Sequence, residues 1–215
     1  MKNPMALSET IQFLESIATP TNEKPLVILF SACLTGLHCG YDQSSYGDHI
    51  IITDLLKYEN IKAVRFCPEH ASFGTPRALC NIHGGDGYDV LSGKVKVLTE
   101  EGVDWTKGMI EGARLMTDFA LENKVKLAVM MDISAACGSQ VIYDGNRLGP
   151  DKKYQRGVGV AAAYLQLNGV HIITQRNFKS LQLLFKKLDP NYQIDPNVKD
   201  HDEQDWYKGY FLSEM

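Results

Sequence analysis

Leu26-Val27-Ile28-Leu29-Phe30 is an unbroken apolar run that leads straight into Ser31-Ala32-Cys33. A strand with no polar alternation belongs in a parallel sheet buried on both faces. A strand-like run that leads into a cysteine loop recurs twice. Ile61-Lys62-Ala63-Val64-Arg65-Phe66 leads into Cys67-Pro68-Glu69, and Lys126-Leu127-Ala128-Val129-Met130-Met131 leads through Asp132-Ile133 into Ser134-Ala135-Ala136-Cys137-Gly138. In an open α/β sheet, ligands bind in the crevice outside the carboxyl ends of the strands. As parallel neighbours, these three strands would bring three distant thiols to one crevice.

Outward from these strands, Leu7 to Ala18 reads as an amphipathic helix with Ile11, Phe13, Leu14 and Ile17 at helical spacing and Ser8 as its cap. Asp48 to Glu59 is expected to hold a short helix with Ile51, Leu55 and Leu56 inward. Trp105 to Asn123 is the clearest helix, with Met109, Ile110, Ala113, Met116, Phe119 and Ala120 in one stripe and Asp104 as cap. Gly157 to Leu167 is a helix ended by Asn168-Gly169, Val170 to Thr174 a fourth strand, and Ser180 to Leu188 a last helix. Alternating strands and helices predict an α/β fold: a parallel-sheet, Rossmann-like three-layer domain with long Gly-rich loops at the strand carboxyl ends. Those loops are Cys67 to Lys96, ending in a hairpin or edge strand near Tyr88 to Leu98, and Asp144 to Arg156. The expected organisation is a helical N-terminal extension over 1–24, the α/β domain over 25–188, and an acidic, extended or partly ordered tail over 189–215.

The chain has 215 residues, enough for one generous domain with a large core. A formal charge of −4 gives no reason to expect nucleic-acid or membrane binding. No signal-peptide pattern follows Met1 and no apolar run approaches membrane-spanning length, so a cytoplasmic protein with reduced thiols is expected. Five cysteines, an odd number, argue against a disulfide framework.

Three thiolates can hold a [4Fe–4S] cluster by three corners and leave the fourth iron open. An open position implies Lewis-acid chemistry, whereas a closed set implies electron transfer or structure. Zinc is the other metal to weigh, but no CxxC or paired His supports it. A single cysteine is more often a small buried hydrophobe; three at equivalent strand ends reverse that balance. Glu69, two residues past Cys67, is placed to act as general acid or base, or else simply to carry a loop or helix-end charge. Arg77, in Thr75-Pro76-Arg77, could pair with an anionic ligand or with a carboxylate of the protein. The backbone N–H groups of Cys137, Gly138 and Ser139 could face an anion or cluster sulfides, with Ser134 as a cap. Cys39 and Cys80 read as structural, with Cys39 in reach of the Cys33 loop. His83-Gly84-Gly85-Asp86-Gly87 is explained by turn chemistry and matches no phosphate loop. The six histidines show no metal-binding pairing.

Taken together, these stretches resemble the bacterial thiouracil desulfidase family, formerly a domain of unknown function. The resemblance rests on Ser31-Ala32-Cys33-Leu34-Thr35-Gly36 with Cys39-Gly40-Tyr41-Asp42, on Cys67-Pro68-Glu69 with Thr75-Pro76-Arg77, and on Gly84-Gly85-Asp86-Gly87-Tyr88-Asp89-Val90-Leu91-Ser92-Gly93-Lys94. It continues in Ser134-Ala135-Ala136-Cys137-Gly138-Ser139 with Ile142-Tyr143-Asp144-Gly145, and in Gly157-Val158-Gly159-Val160-Ala161-Ala162. Five motifs in order are far more specific than any one of them.

The resemblance implies an oxygen-sensitive [4Fe–4S] cluster on Cys33, Cys67 and Cys137, lost from protein prepared in air. It implies non-redox conversion of a thiolated pyrimidine such as 2-thiouracil to uracil, with sulfide released. Glu69 and Ser134 take the catalytic positions, and Arg77, Asp42 and Ser139 are candidates to touch substrate. This chain departs from the family pattern around the expected pocket: His70-Ala71-Ser72-Phe73 stands where a Gly pair is usual, Gly40 where Arg is usual, and Ala135-Ala136 where Pro-Ser is usual. Two other readings remain: a nucleobase- or anion-binding module without chemistry, and a zinc- or thiol-dependent enzyme.

Overall fold

The computed structural model describes residues 5–47 and 49–212. In chain order, the first half holds α1 (Leu7–Ser16), β1 (Leu26–Ser31), α2 (Ile50–Leu55), β2 (Ile61–Phe66), α3 (Pro68–Phe73), β3 (Cys80–His83), α4 (Gly87–Leu91) and β4 (Lys96–Thr99). The second half holds α5 (Thr106–Glu122), β5 (Leu127–Met130), β6 (Val141–Asp144), β7 (Lys153–Arg156), α6 (Val160–Leu167), β8 (His171–Thr174), α7 (Phe178–Leu188) and α8 (Asp205–Phe211). Short 3-10 turns cover Ala32–Thr35 and His201–Glu203.

Four strands form one parallel sheet in the order β2-β1-β5-β8. Successive side chains of a strand point to opposite faces, and each central strand feeds two cores. Leu29, Ala128 and Met130 face α5 and α6 with Met109, Ala113, Met116 and Ala162. Ile28, Phe30, Leu127 and Val129 face the other way, against Leu14, Leu181, Leu184 and Phe185. This is the expected three-layer, Rossmann-like arrangement. Burial on both faces is why these strands read as apolar runs rather than alternating ones.

Several elements differ from the sequence reading. The stretch after Cys67 is not irregular: Pro68 occupies the first turn of α3, where its missing N–H is no loss. The segment ends in an antiparallel pair, β3 with β4, and Asp86 caps α4 by accepting the N–H groups of Tyr88 and Asp89. The loop expected from Asp144 to Arg156 is instead bounded by the antiparallel pair β6–β7. Ser8 lies inside α1; the helix is capped through Glu9, whose carboxylate accepts the Ala6 N–H at 2.8 Å. Asp104 accepts the Thr106 N–H at the start of α5, while Trp105 takes the cap position. The helix start expected at Asp48 lies outside the described residues, and α2 begins at Ile50. The tail is not extended throughout. It forms the His201–Glu203 turn and α8, whose Trp206 and Tyr210 meet the Tyr154 ring edge-on at 5.2 and 5.3 Å. Among the described residues no helix is long and apolar enough to cross a membrane.

One close approach sets the site. A Cβ on Gly112 of α5 would stand 2.3 Å from the Pro68 carbonyl oxygen, so only glycine lets α5 seat the start of α3, just beyond Cys67.

Helix α1 is held partly by Phe13 stacked on His171, ring centroids 4.1 Å apart. Burial holds the His171 pKa below its ordinary value of 6.5. The folded state therefore binds fewer protons there than the unfolded chain, and stability falls as pH drops through 6.5. Urea midpoints at pH 7.5 and 5.5 should show that loss, and His171→Phe, which keeps the stack, should shrink it. An equal loss in both proteins would contradict this account.

Candidate functional site

A cleft of about 290 Å³ opens at the carboxyl ends of β2, β1 and β5. Cys33, Cys67 and Cys137 all line it, as the strand argument requires, together with Glu69, Arg77 and Ser134.

Each thiol has its own local support. Cys33 sits in the 3-10 turn after β1, which buried Leu34 anchors and Gly36 closes at φ 86°. Cys67 is the cap of α3: its Sγ accepts the His70 N–H at 3.4 Å and its S–H donates to the Cys39 carbonyl at 3.8 Å. Cys137 lies in a turn built on Ser134, whose Oγ accepts the N–H groups of Ala136 at 3.3 Å and Cys137 at 3.1 Å. Cys39 and Cys80 line the same cleft, which their reading as structural residues missed.

Four of the thiols, Cys39, Cys67, Cys80 and Cys137, are biased toward the protonated form. A hydrogen bond with Cys39, then burial, pushes Cys67 far up. Burial does the same for Cys137 and, with the Glu69 charge, for Cys80. Cys39 is pushed up to about 11, chiefly by its hydrogen bond with Cys33. Such groups become thiolates when a cation supplies the compensating charge.

Arg77 is spent on the protein rather than offered to a ligand. Its side chain is 3% exposed and donates to the carbonyls of Cys39 and Gly74 at 2.9 and 3.1 Å and to Thr75 Oγ1 at 3.1 Å. Its other terminal nitrogen holds Glu69 Oε2 at 3.2 Å, while Glu69 Oε1 accepts the Cys80 S–H at 3.8 Å. Arg77 thus orients Glu69 and ties it to the Cys39 loop.

Two other sequence-derived candidates lie elsewhere. Asp42 is exposed, does not line the cleft, and uses Oδ1 to accept the Ser44 N–H of its own turn. Ser139 does not line it either. Nor do the N–H groups near Cys137 face a ligand: those of Cys137, Gly138 and Ser139 donate to Ser134 Oγ, the Ser134 carbonyl and Asp132 Oδ1. The turn folds its donors inward.

The sequence reading also missed a wall of Tyr41, Tyr143 and Arg147. The Arg147 guanidinium lies 5.6 Å from the Tyr41 ring centroid and 5.3 Å from that of Tyr143. Both tyrosines fall within the motifs quoted above, which was the available signal. Asp132 lines the cleft as well and pairs with His201 from the tail, for which no sequence signal existed.

The chain is 36% identical over 157 residues to the uncharacterized protein YbbK of Bacillus subtilis (strain 168), a match covering 72% of this chain and 99% of that protein. Its fold is similar to the solved structure of a [4Fe-4S]-dependent thiouracil desulfidase, TudS, with a TM-score of 0.62 and 30% identity over 75% of this chain and 98% of that one. Residues 28–177, which contain the three strand-end cysteines, Glu69 and Ser134, match the model for 2-thiouracil desulfurase. The chain therefore belongs to the 2-thiouracil desulfurase family of enzymes.

Proposed function

We propose that the chain removes sulfur from a thiolated pyrimidine such as 2-thiouracil, without net redox change, at a [4Fe–4S] cluster held by Cys33, Cys67 and Cys137. The observation that carries this reading is the strand order. β1 lies between β2 and β5, so the three thiols follow three adjacent strand ends. Strand ends stand about 4.8 Å apart, and each corner of a cluster takes its own thiolate from a spread set. A single ion needs its donors gathered at one point, and among the described residues no three His, Cys, Asp or Glu side chains are so gathered. A spread donor set supports a cluster over a single zinc ion.

A cluster held by three thiolates supplies an open iron, a Lewis acid for the thiocarbonyl sulfur. The protein does the rest. Glu69, fixed by Arg77, takes a proton from water as the water oxygen bonds to the ring carbon that carries sulfur. The C–S bond breaks, sulfur departs with the electron pair as hydrosulfide, and the ring keeps a carbonyl; no electron is gained or lost overall. Ser134 Oγ already accepts two backbone N–H groups, so its own O–H is the proton it has to give to the substrate. Tyr41 and Tyr143 offer ring faces on which a flat base stacks.

The test is anaerobic reconstitution with iron and sulfide, followed by incubation with 2-thiouracil. Iron and acid-labile sulfide in equal amounts, with uracil and sulfide formed together, is the expected result. A fully loaded protein that binds 2-thiouracil and releases no sulfide would leave only the binding-module reading.

A further inference from the structure

The C-terminal segment, beyond the residues that match the family model, reaches back to the cleft. Asp132 is 3% exposed and lines the cleft just after β5. Its Oδ1 accepts the N–H groups of Ser139 at 3.1 Å and Gln140 at 3.5 Å, closing residues 132 to 140 into a ring around Cys137. Its Oδ2 meets His201 Nδ1 at 2.5 Å, and its own N–H donates to Gln175 Oε1 at 2.8 Å.

His201 is fully buried and stacks on Trp206, with ring centroids 5.4 Å apart. Among the described residues its Nε2 has no hydrogen-bond partner. A carboxylate oxygen only accepts, so Nδ1 carries the proton in this pair. The segment is fastened at other points too. Asp200 accepts the N–H and O–H of Ser180 at 2.9 and 2.7 Å, Gln204 donates to the Arg176 carbonyl at 2.9 Å, and Tyr210 accepts the Tyr154 N–H at 2.9 Å. His201 therefore does not serve as the segment's sole anchor; its specific contact is with the carboxylate that organises the Cys137 turn.

We infer that His201 is a positioning residue for the third cluster thiolate: through Asp132 it holds the turn that presents Cys137. This rests on the reading of Cys33, Cys67 and Cys137 as cluster ligands. Residues that orient metal ligands typically change metal affinity ten- to a hundredfold when lost. His201→Phe keeps the ring stacked on Trp206 and removes the donor, leaving a buried carboxylate oxygen unpaired. His201→Asn keeps a donor close to where Nδ1 stands.

Two measurements decide. In cluster-free protein, amide hydrogen exchange at Ser139 and Gln140 should quicken in His201→Phe, with the amides of β8 unchanged. After anaerobic loading, iron should pass to a chelator on the order of ten- to a hundredfold faster from His201→Phe than from the unaltered chain. His201→Asn should restore both. If His201→Phe does not fold, Asp132→Asn, which leaves no buried charge, should show the same two changes. Unaltered exchange at Ser139 and Gln140 in a folded variant overturns the inference. So does unaltered iron release from one that loads normally. Failure of the unaltered chain to take up a cluster would instead overturn the functional reading, and the exchange measurement would still judge the link from His201 to the turn.

Discussion

Glu69→Gln is expected to load a cluster as the unaltered chain does and to lose turnover by on the order of a hundred- to ten-thousandfold, the usual contribution of a positioned acid or base. The substitution is nearly isosteric. The amide oxygen still accepts from Arg77 or from the Cys80 thiol, so the local geometry survives. Arg77 is the group most exposed to harm, because a buried guanidinium that loses its carboxylate is costly. Three other acceptors, the carbonyls of Cys39 and Gly74 and the Thr75 hydroxyl, still hold its Nη1 in place. Glu69 itself is 22% exposed, which further limits the loss of stability. What the amide lacks is the capacity to take a proton from water. Iron content and visible absorbance should match the unaltered protein while uracil formation collapses. Full turnover in a loaded Glu69→Gln protein would remove Glu69 from the chemistry and leave it as a partner of Arg77.

The parallel sheet was legible because burial on both faces writes itself into sequence as apolar runs. Ile61–Phe66 was read with its observed ends, β1 and β8 differ from their readings by one residue at an end, and the Lys126 to Met131 run loses one residue at each end in β5. The antiparallel pairs were legible only in part: the expected hairpin or edge strand near Tyr88 to Leu98 meets β4 of the β3–β4 pair but not helical Gly87–Leu91, and no strand was expected within Asp144 to Arg156. β3, β4, β6 and β7 are as short as β5 and β8 but carry polar residues such as Asn81, Lys96, Asp144 and Gln155, and they form because a partner completes their hydrogen bonds. Pro68, read as part of a long loop, starts a helix. In the site, motif position picked out the three cysteines, Glu69, Ser134 and Arg77, which the fold brings to one cleft. Asp42 and Ser139 fall outside that cleft, and which of its two expected partners Arg77 takes is decided by the carboxylate the fold brings nearest. His201 lies at the far limit of legibility, since nothing local marks a tail histidine as the partner of a carboxylate beside β5.

Of the five thiols in the cleft, three are expected to be indispensable for the cluster and two are not. Cys33→Ala, Cys67→Ala and Cys137→Ala should each fail to hold the brown chromophore after anaerobic reconstitution, whereas Cys39→Ala and Cys80→Ala should keep it. Proximity alone does not divide them, because all five line the same cleft. The division comes from what positions each sulfur. Cys33, Cys67 and Cys137 follow the ends of β1, β2 and β5, whose spacing the backbone hydrogen bonds of one sheet fix. Cys39 lies farther along the loop after the 3-10 turn, with its carbonyl held by Arg77. Cys80 opens β3 in a separate two-stranded sheet and directs its S–H to Glu69. A thiol committed to a carboxylate is a poor ligand, and a ligand off the sheet has no fixed distance from the other two. In the cluster-free state the thiols of Cys67 and Cys137 are neutral near pH 7, because a hydrogen bond with Cys39 and then burial raise the Cys67 pKa, and burial raises that of Cys137. Removing either therefore strands no charge, and each Cys→Ala change should cost on the order of 1 kcal/mol of stability, as small buried truncations do. Urea midpoints close to the unaltered value, alongside a lost chromophore, would tie the loss to ligation and not to unfolding. A chromophore that survives in Cys137→Ala but disappears in Cys39→Ala would move the third ligand from the end of β5 to the loop of β1, and the strand-end account of this site would fall with it.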